Sequence, residues 1–199
     1  MLRIRHLRRS ELPYDTTELA RYLIGKVVVR ELPQGRMSGR IVETEAYPPG
    51  DSSSHAFRGV TPRNRSLFLT RGYAYVYFIY GVSYMLNVSS EVSGVGAGVL
   101  VRALEPMEGI DLMAHHRGTS RLWDLARGPG RLAAALKVDR GCDGVNLCAA
   151  GPLWLGVKQK DDCIIKKSVR IGITREIERK LRFYEHDNPF VSGQKWLRI

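Results

Sequence analysis

The alternation of apolar and polar residues along the chain predicts a protein with several β-strands. Residues 26–32 (KVVVREL) and 39–47 (GRIVETEAY) are rich in β-branched side chains, and the turn at 33–35 (PQG) between them predicts a hairpin. Residues 73–88 predict a second, aromatic-rich hairpin that turns at Gly81. Further strands are expected at residues 99–104, 154–157 and 168–173.

Short helices are expected between these strands. Asp15 or Thr16 is expected to cap the first, because short polar side chains accept hydrogen bonds from free N–H groups, and Gly25 to end it. Pro106 is expected to begin the second helix and Gly118 to end it. Further helical segments are expected at residues 123–126 and 131–137.

Strand 39–47 carries polar residues on a face where core side chains are expected. Side chains alternate along a strand, so one face carries an aliphatic residue, two acids and an aromatic: Ile41, Glu43, Glu45 and Tyr47. One interpretation is an exposed strand with solvated acids. The other is a pocket in which a carboxylate acts beside a flat ligand.

Arg102 bears on this choice, because it interrupts the apolar strand 99–104. A buried arginine needs ionic or hydrogen-bonding partners, so Arg102 is expected to approach Glu43 or Glu45. This expectation favours the pocket over a solvated strand.

Composition adds a class of partner. The 199 residues include 31 Lys and Arg against 20 Asp and Glu, which gives a net charge of +11 and a pI near 9.9. Such an excess indicates a polyanionic partner, most often nucleic acid. Tyr80 stands directly before the turn glycine of the aromatic hairpin, so its ring is expected to project and to act as a wedge between DNA base steps.

Two further segments are candidates for phosphate contact. The arginines of the loop at 48–65 favour such contacts, although a solvated basic loop explains them nearly as well. The turn at 128–130 (GPG) feeds a helix, and it either presents N–H groups to a DNA phosphate or simply starts that helix.

Several other classes are disfavoured. No run approaches the ~18 apolar residues of a membrane span, and no signal peptide follows the basic N-terminus, which favours an intracellular protein. Cys142, Cys148 and Cys163 form no C-x-x-C and lack a nearby histidine pair, so we expect free thiols and neither a disulfide nor a zinc site. With 44% apolar and 26% charged residues and no linker, the chain is expected to form one domain over residues 1–199.

Taken together, the sequence resembles the alkyladenine (3-methyladenine) DNA glycosylase family. The resemblance covers most of the chain and rests on an ordered set of segments: GRIVETEAY (39–47), His55, TPRNR (61–65), YVYFIYG (75–81), Asn87, LVRALEPMEG (100–109), GPGRL (128–132), VRIG (169–172) and LRFY (181–184). It implies an α+β fold, a single mixed domain with a curved antiparallel sheet and surrounding helices. It also implies that the aromatic hairpin protrudes from this sheet and intercalates into DNA.

The resemblance further implies roles for the catalytic residues. Glu45 would be the general base that activates a water to attack C1′ of the damaged nucleotide. Arg102 and the backbone carbonyl of Ile171 would help to hold that water. Glu43 is left as a structural partner of an arginine.

For the substrate, the resemblance implies that Tyr47 on one side, with His55 and Tyr77 on the other, sandwiches a flipped purine. Asn87 would crowd the pocket against the exocyclic amino group of normal guanine. The DNA contacts implied by the matched motifs involve Tyr80, Gly81, Thr61, Arg63, Gly130 and Arg131. Three positions depart from the family pattern: Arg131 stands where many relatives carry lysine, Val82-Ser83 is a small hairpin tip, and 174–180 is divergent.

The expected function is that of a monofunctional DNA glycosylase that initiates base excision repair on alkylated or deaminated purines in double-stranded DNA. The sequence marks no lysine as a Schiff-base nucleophile, and neither metal nor cofactor is expected. A monomer is expected, in the cytoplasm and associated with the nucleoid if bacterial, or in the nucleus if eukaryotic. The alternatives are a non-catalytic DNA- or RNA-binding protein and a hydrolase of small nucleosides or nucleotides.

Overall fold

The fold is known from a computed structural model that describes residues 4–79, 81–158 and 163–193. Within these ranges three α-helices occur: α1 (Thr16–Leu23), α2 (Ile110–Arg117) and α3 (Pro129–Ala135). The same ranges contain nine strands: β1 (Arg5–His6), β2 (Val27–Leu32), β3 (Gly35–Tyr47), β4 (Ala74–Ile79), β5 (Ser83–Ser89), β6 (Gly98–Glu108), β7 (Leu153–Val157), β8 (Ile165–Ser168) and β9 (Arg182–Glu185). Short 3₁₀ turns occupy Arg9–Glu11, Arg65–Phe68, Leu122–Asp124 and Arg140–Cys142.

All nine strands belong to one antiparallel sheet of order β1-β7-β2-β3-β6-β5-β4, with β9 beside β3 and β8 beside β9. Strand β3 organises this sheet. One of its edges pairs with β6 along its length, and its other edge pairs first with β2 and then with β9. The predicted α+β class is therefore confirmed, and both predicted hairpins, β2–β3 and β4–β5, are present.

The main core lies between the sheet and the helices. Helix α1 packs on β3, and α3 packs on β5 and β6. Asp15 caps α1 by accepting a hydrogen bond from the Glu18 amide at 2.8 Å, as predicted. The Thr44 hydroxyl of β3 donates to the Ala20 carbonyl of α1 at 2.8 Å, which fixes the helix across the centre of the sheet.

A β-bulge in β3 corrects one prediction about its faces. The register against β6 shifts on both sides of Glu43. A bulge places two neighbouring residues on one side of a strand. Ile41 accordingly packs in the main core, whereas Val42 packs against a separate cluster with Tyr184. Ile41 does not share a face with Glu43.

Two boundary predictions were also wrong. Pro106 does not begin a helix, because β6 continues to Glu108 in register with β3, and α2 begins only after Gly109 in the left-handed region (φ +68°). The strand predicted at 168–173 ends at Ser168, because the backbone that follows turns away to contact Glu45.

In the described ranges, no helix has the length and apolar character needed to cross a bilayer.

Candidate active site

A cavity of about 330 Å³ opens between strand β3, the β4–β5 hairpin and two loops. This volume lies at the small end of ligand pockets, which span about 300–1,000 Å³. Its lining is mainly aromatic and aliphatic, with a few polar side chains: Tyr47, Ser53, Ser54, His55, Leu67, Tyr75, Tyr77, Ile79, Met85, Asn87, Gly98, Leu100, Arg102, Pro129, Ile171, Gly172 and Ile173. The cavity thus suits a flat, largely apolar ligand.

Glu45 is fully buried, and three residues that line the cavity hold its carboxylate. Its Oε1 accepts a hydrogen bond from the Ile171 amide at 2.7 Å and lies 3.2 Å from a terminal nitrogen of Arg102. Its Oε2 accepts from the Tyr47 hydroxyl at 2.9 Å. Every one of these partners is a donor, so the carboxylate is fixed as an acceptor at the edge of the cavity.

Ile171 contacts Glu45 through its backbone N–H. The family resemblance implies a role for its backbone carbonyl in holding the water, and this role stays a prediction. The segment before Ile171 has left the sheet after Ser168, and this departure lets the amide reach the carboxylate.

Glu43 lies behind Glu45 in a buried ionic cluster. Its Oε1 is 2.9 Å from Arg102 Nε and 2.6 Å from Arg182 Nε. The amide of Ser192 donates to its Oε2 at 2.6 Å. Burial alone would raise the pKa of the Glu43 carboxyl, but the two guanidinium groups outweigh burial and lower that pKa. The predictions of an arginine partner for Glu43 and of acidic partners for Arg102 are both confirmed.

Three aromatic residues and a histidine form the walls of the cavity. The rings of His55 and Tyr77 meet edge to face with centroids 4.4 Å apart, and His55 Nδ1 lies 2.9 Å from the Tyr75 hydroxyl. Tyr47 stands beside Glu45 on β3. The predicted stacking residues therefore line one cavity.

Burial favours the neutral form of each of these side chains. It raises the pKa of Tyr75 to about 12 and raises those of Tyr47 and Tyr77 further. Burial, and secondarily the charge of Arg63, lowers the pKa of His55 from its ordinary value. The walls are thus uncharged near pH 7 and present only ring faces and hydrogen-bonding edges.

Asn87 lies on β5, where its buried side chain lines the cavity. Its side-chain amide donates to the Tyr75 carbonyl at 3.2 Å across the β4–β5 hairpin. The amide is therefore held in one orientation, which suits a residue that is predicted to discriminate between bases.

The loop that carries His55 is ordered by two polar side chains. Asp51 accepts a hydrogen bond from the Ser53 amide at 2.8 Å. The Asn64 side chain donates to the carbonyls of His55, at 2.8 Å, and Gly59, at 3.0 Å. A long loop with many polar residues is thereby given one conformation.

Of the predicted DNA-contact residues, Gly81 forms the turn of the β4–β5 hairpin, and Thr61 and Arg63 lie in the loop that also carries His55. Gly81 is exposed and takes the left-handed backbone (φ +68°) that the turn requires. Arg63 donates to the Phe78 carbonyl at 3.1 Å, and Thr61 donates its amide to Asn64 at 2.6 Å. Tyr80 lies outside the described residues, so its role as a wedge stays a prediction.

Helix α3 brings the other two predicted contacts close to the hairpin. A side chain at Gly130 would collide with Ser83, because a Cβ there would lie 2.8 Å from the Ser83 hydroxyl. Arg131 is half-exposed and pairs with Asp124 at 2.9 Å. Arg131 is therefore partly neutralised in the free protein.

Among the described residues, sequence reasoning missed five buried polar residues that support the site: Asp51, Asn64, Arg170, Arg182 and Ser192. A usable signal existed for Arg182, since it interrupts an apolar run (LRFY) just as Arg102 does. No comparable pattern distinguishes Asp51 or Ser192 from the other polar loop residues.

In the described part of the chain, no group of three or more His, Cys, Asp or Glu side chains could hold a metal ion. Cys142, Cys148 and Cys163 are free thiols, as predicted.

The fold and the cavity define a protein with an aromatic-walled cavity beside a buried carboxylate. The family model described as Methylpurine-DNA glycosylase (MPG) matches residues 10–189. The chain therefore belongs to the methylpurine-DNA glycosylase family, and the family resemblance found in the sequence is confirmed.

Relatives support this assignment along nearly the whole chain. A protein of Mesorhizobium japonicum is 64% identical over 190 residues, which cover 96% of this chain and 91% of the relative. A protein of Paraburkholderia phytofirmans is 53% identical, with 97% and 91% covered, and one of Methanocella arvoryzae is 44% identical, with 90% and 92% covered. Each bears the name "Putative 3-methyladenine DNA glycosylase". The predicted enzyme class, a DNA glycosylase of DNA repair, is confirmed at this level.

Proposed function

We propose that this protein releases alkylated purines, 3-methyladenine among them, from double-stranded DNA by hydrolysing the N-glycosidic bond with a water that Glu45 activates. The observation that carries the proposal is the position of Glu45. Its carboxylate is fully buried, yet it is held by three residues that line an aromatic-walled cavity. A carboxylate in this position serves a ligand in the cavity rather than the solvent.

The chemistry requires one water and no cofactor. Glu45 accepts a proton from the water while the water oxygen bonds to C1′, and the bond from C1′ to the purine nitrogen breaks. The sugar passes through an oxocarbenium-like state, which a nearby carboxylate stabilises electrostatically. The products are the free base and an abasic site. Arg102 and the segment at Ile171 hold the carboxylate, and we assign to them the positioning of the water.

Selection for damage follows from the walls. An N3- or N7-alkylated purine carries positive charge, and cation–π attraction to an aromatic face stabilises such a base by about 1–2 kcal/mol. The same charge weakens the bond to C1′. Tyr47 on one side and His55 with Tyr77 on the other would enclose the base, and Asn87 would exclude the amino group of normal guanine.

Deaminated purines such as hypoxanthine are a second, weaker substrate class in this proposal. They are neutral, so they leave only if a proton reaches the base. The neutral tyrosine and histidine walls offer hydrogen bonds but no strong acid. We therefore expect slower release of hypoxanthine than of 3-methyladenine.

Access to the cavity requires that the damaged nucleotide leave the duplex, because a stacked base is out of reach of a buried carboxylate. The net charge of +11 supplies the affinity for the phosphate backbone. Arg63 and Arg131 are assigned to backbone contacts, and Tyr80 to the gap that the flipped base leaves. The enzyme acts as a monomer on chromosomal DNA. In a bacterium this DNA is the nucleoid.

No lysine is among the described residues that line the cavity, so we expect hydrolysis without cleavage of the DNA strand. The test incubates the purified protein with methylated duplex DNA in the presence of a metal chelator. Release of 3-methyladenine with one abasic site per base and an intact strand supports the proposal. Tight binding without base release would instead indicate a non-catalytic DNA-binding protein.

A further inference from the structure

Behind Tyr47 lies a buried ion pair that the mechanism above does not use. Arg170 and Asp51 have fully buried side chains, and Arg170 contacts the Asp51 carboxylate at 2.7 Å. The same guanidinium donates to the Ala46 carbonyl at 2.9 Å. Arg179 lies 3.5 Å from Asp51 but is 44% exposed, so it is the weaker counter-ion.

The guanidinium of Arg170 lies over the ring of Tyr47, with its central carbon 4.6 Å from the ring centroid. Tyr47 lines the cavity and Arg170 does not. The cation therefore covers the ring face turned away from the cavity. Two guanidinium nitrogens, Nε and one terminal nitrogen, are buried without a hydrogen-bond partner among the described residues.

This geometry matters for a ligand on the open face. A cation that binds one face of an aromatic ring draws electron density from it, and a second cation on the opposite face is repelled by the first. A base stacked on the open face would lie roughly 8 Å from the guanidinium carbon, within range of Coulomb repulsion in a low-dielectric interior. An unpaired Arg170 would thus oppose a cationic base.

We propose that Asp51 neutralises Arg170 so that the open face of Tyr47 accepts a cationic purine, and that this ion pair sets the preference of the pocket for charged over neutral bases. The inference rests on the proposed function, because it assumes that the base stacks on Tyr47. It makes Asp51 and Arg170 specificity-determining residues that act through Tyr47 and touch neither the base nor the water.

The test compares two duplexes that differ only in the charge of one base. The first contains 7-methylguanine on a 2′-fluorinated sugar, which keeps the cationic base attached. The second contains 7-methyl-7-deazaguanine, its neutral isostere, on the same 2′-fluorinated sugar. The measured quantity is the ratio of the dissociation constants, neutral over cationic, at one fixed salt concentration.

Three variants give an ordered prediction. Asp51→Asn leaves a buried cation behind the ring and lowers the ratio by about tenfold. Arg170→Gln leaves Asp51 with Arg179 as its one counter-ion among the described residues and raises the ratio above that of the wild type. The double variant carries no charge at either position and returns the ratio to near the wild-type value.

The ratio separates this inference from a general structural effect. A folding defect lowers the affinity for both duplexes together and leaves the ratio unchanged. The charge effect changes the affinity for the cationic duplex relative to the neutral one, so it changes the ratio. If Asp51→Asn fails to fold, Arg170→Gln and the double variant still carry different predictions: a raised ratio and a ratio near that of the wild type. A wild type that does not distinguish the two duplexes, or an unchanged ratio in Arg170→Gln, would overturn the inference. A wild type that releases no alkylated base would overturn the proposed function itself.

Discussion

Arg102 contacts both acidic residues of strand β3, with Nε 2.9 Å from Glu43 and a terminal nitrogen 3.2 Å from Glu45. The two carboxylates therefore share one guanidinium, while Arg182, which contacts the same Glu43 oxygen as Arg102, compensates the second charge of the cluster. Glu43 is thus the inner acid of the cluster, and Glu45 lies next to the cavity, held by three residues that line it.

The first prediction concerns stability. Glu43→Gln removes the charge that pairs with two buried arginines, so we expect the free energy of unfolding to fall by about 3 kcal/mol. The control is Glu105→Gln, which breaks the partly exposed pair with Arg40 and should cost about 1 kcal/mol or less. Urea unfolding of the two variants measures the difference. Equal losses of unfolding free energy in the two variants would contradict the prediction that the buried cluster stabilises the fold more than the partly exposed pair.

The second prediction separates the hydroxyl of Tyr47 from its ring. Tyr47→Phe keeps the stacking face but removes the hydrogen bond to Glu45, so base release should slow by about tenfold at unchanged affinity for damaged DNA. Tyr47→Leu, as a comparison, removes the face and should weaken binding as well. Single-turnover rates and dissociation constants, measured separately, decide the matter. Loss of affinity in Tyr47→Phe equal to that in Tyr47→Leu would contradict this division.

The third prediction is a pH dependence of stability. The folded protein lowers the pKa of His55, mainly through burial. Below about pH 6.5 the unfolded chain therefore binds a proton that the folded chain resists, and stability falls as the pH falls through this window. Above that pH the difference vanishes. Thermal unfolding between pH 5 and 8 should show a slope that His55→Gln reduces; an identical slope in the variant would contradict the assignment.

The fourth prediction concerns the ion pair of Arg131 and Asp124. Asp124→Asn frees the guanidinium, so affinity for undamaged duplex DNA should rise and the slope of log K against log salt should steepen by about one unit. Removing an acid raises affinity for DNA by itself, so the control repeats the change in an Arg131→Gln background. A gain of equal size there would show that Arg131 makes no phosphate contact.

The sequence predicted the sheet well where local pattern and tertiary structure agree. The aromatic hairpin with its turn at Gly81 is an example, because the turn glycine and the β-branched run point to the same structure. The prediction was wrong at Ile41, because the bulge places its side chain on the opposite face of β3 from Glu43. The alternation of apolar and polar residues does not reveal this bulge. The prediction was wrong at Pro106 because pairing with β3 outweighs the preference of proline for a helix start.

Some residues of the candidate site were predicted from the sequence and others were not, because only some of them stand out from their neighbours in the chain. Glu45 and Tyr47 were singled out by their position on one strand face, and Arg102 by its conflict with an apolar strand. Asp51 and Arg170 are separated by more than one hundred residues in sequence, and each looks ordinary in its own segment. Their importance arises only from contact across the fold, which no local pattern encodes.

The most direct test of the central claim replaces the acid that is to activate the water. Glu45→Gln keeps the side-chain shape and removes the base, and Glu31→Gln, which alters a partly exposed acid paired with Arg36, serves as the matched control. The measurement is the single-turnover release of 3-methyladenine from duplex DNA. We predict that Glu45→Gln binds damaged DNA but releases base at least a hundredfold more slowly, about the size of one general-base contribution, while Glu31→Gln matches the wild type. Undiminished release by Glu45→Gln would contradict the account.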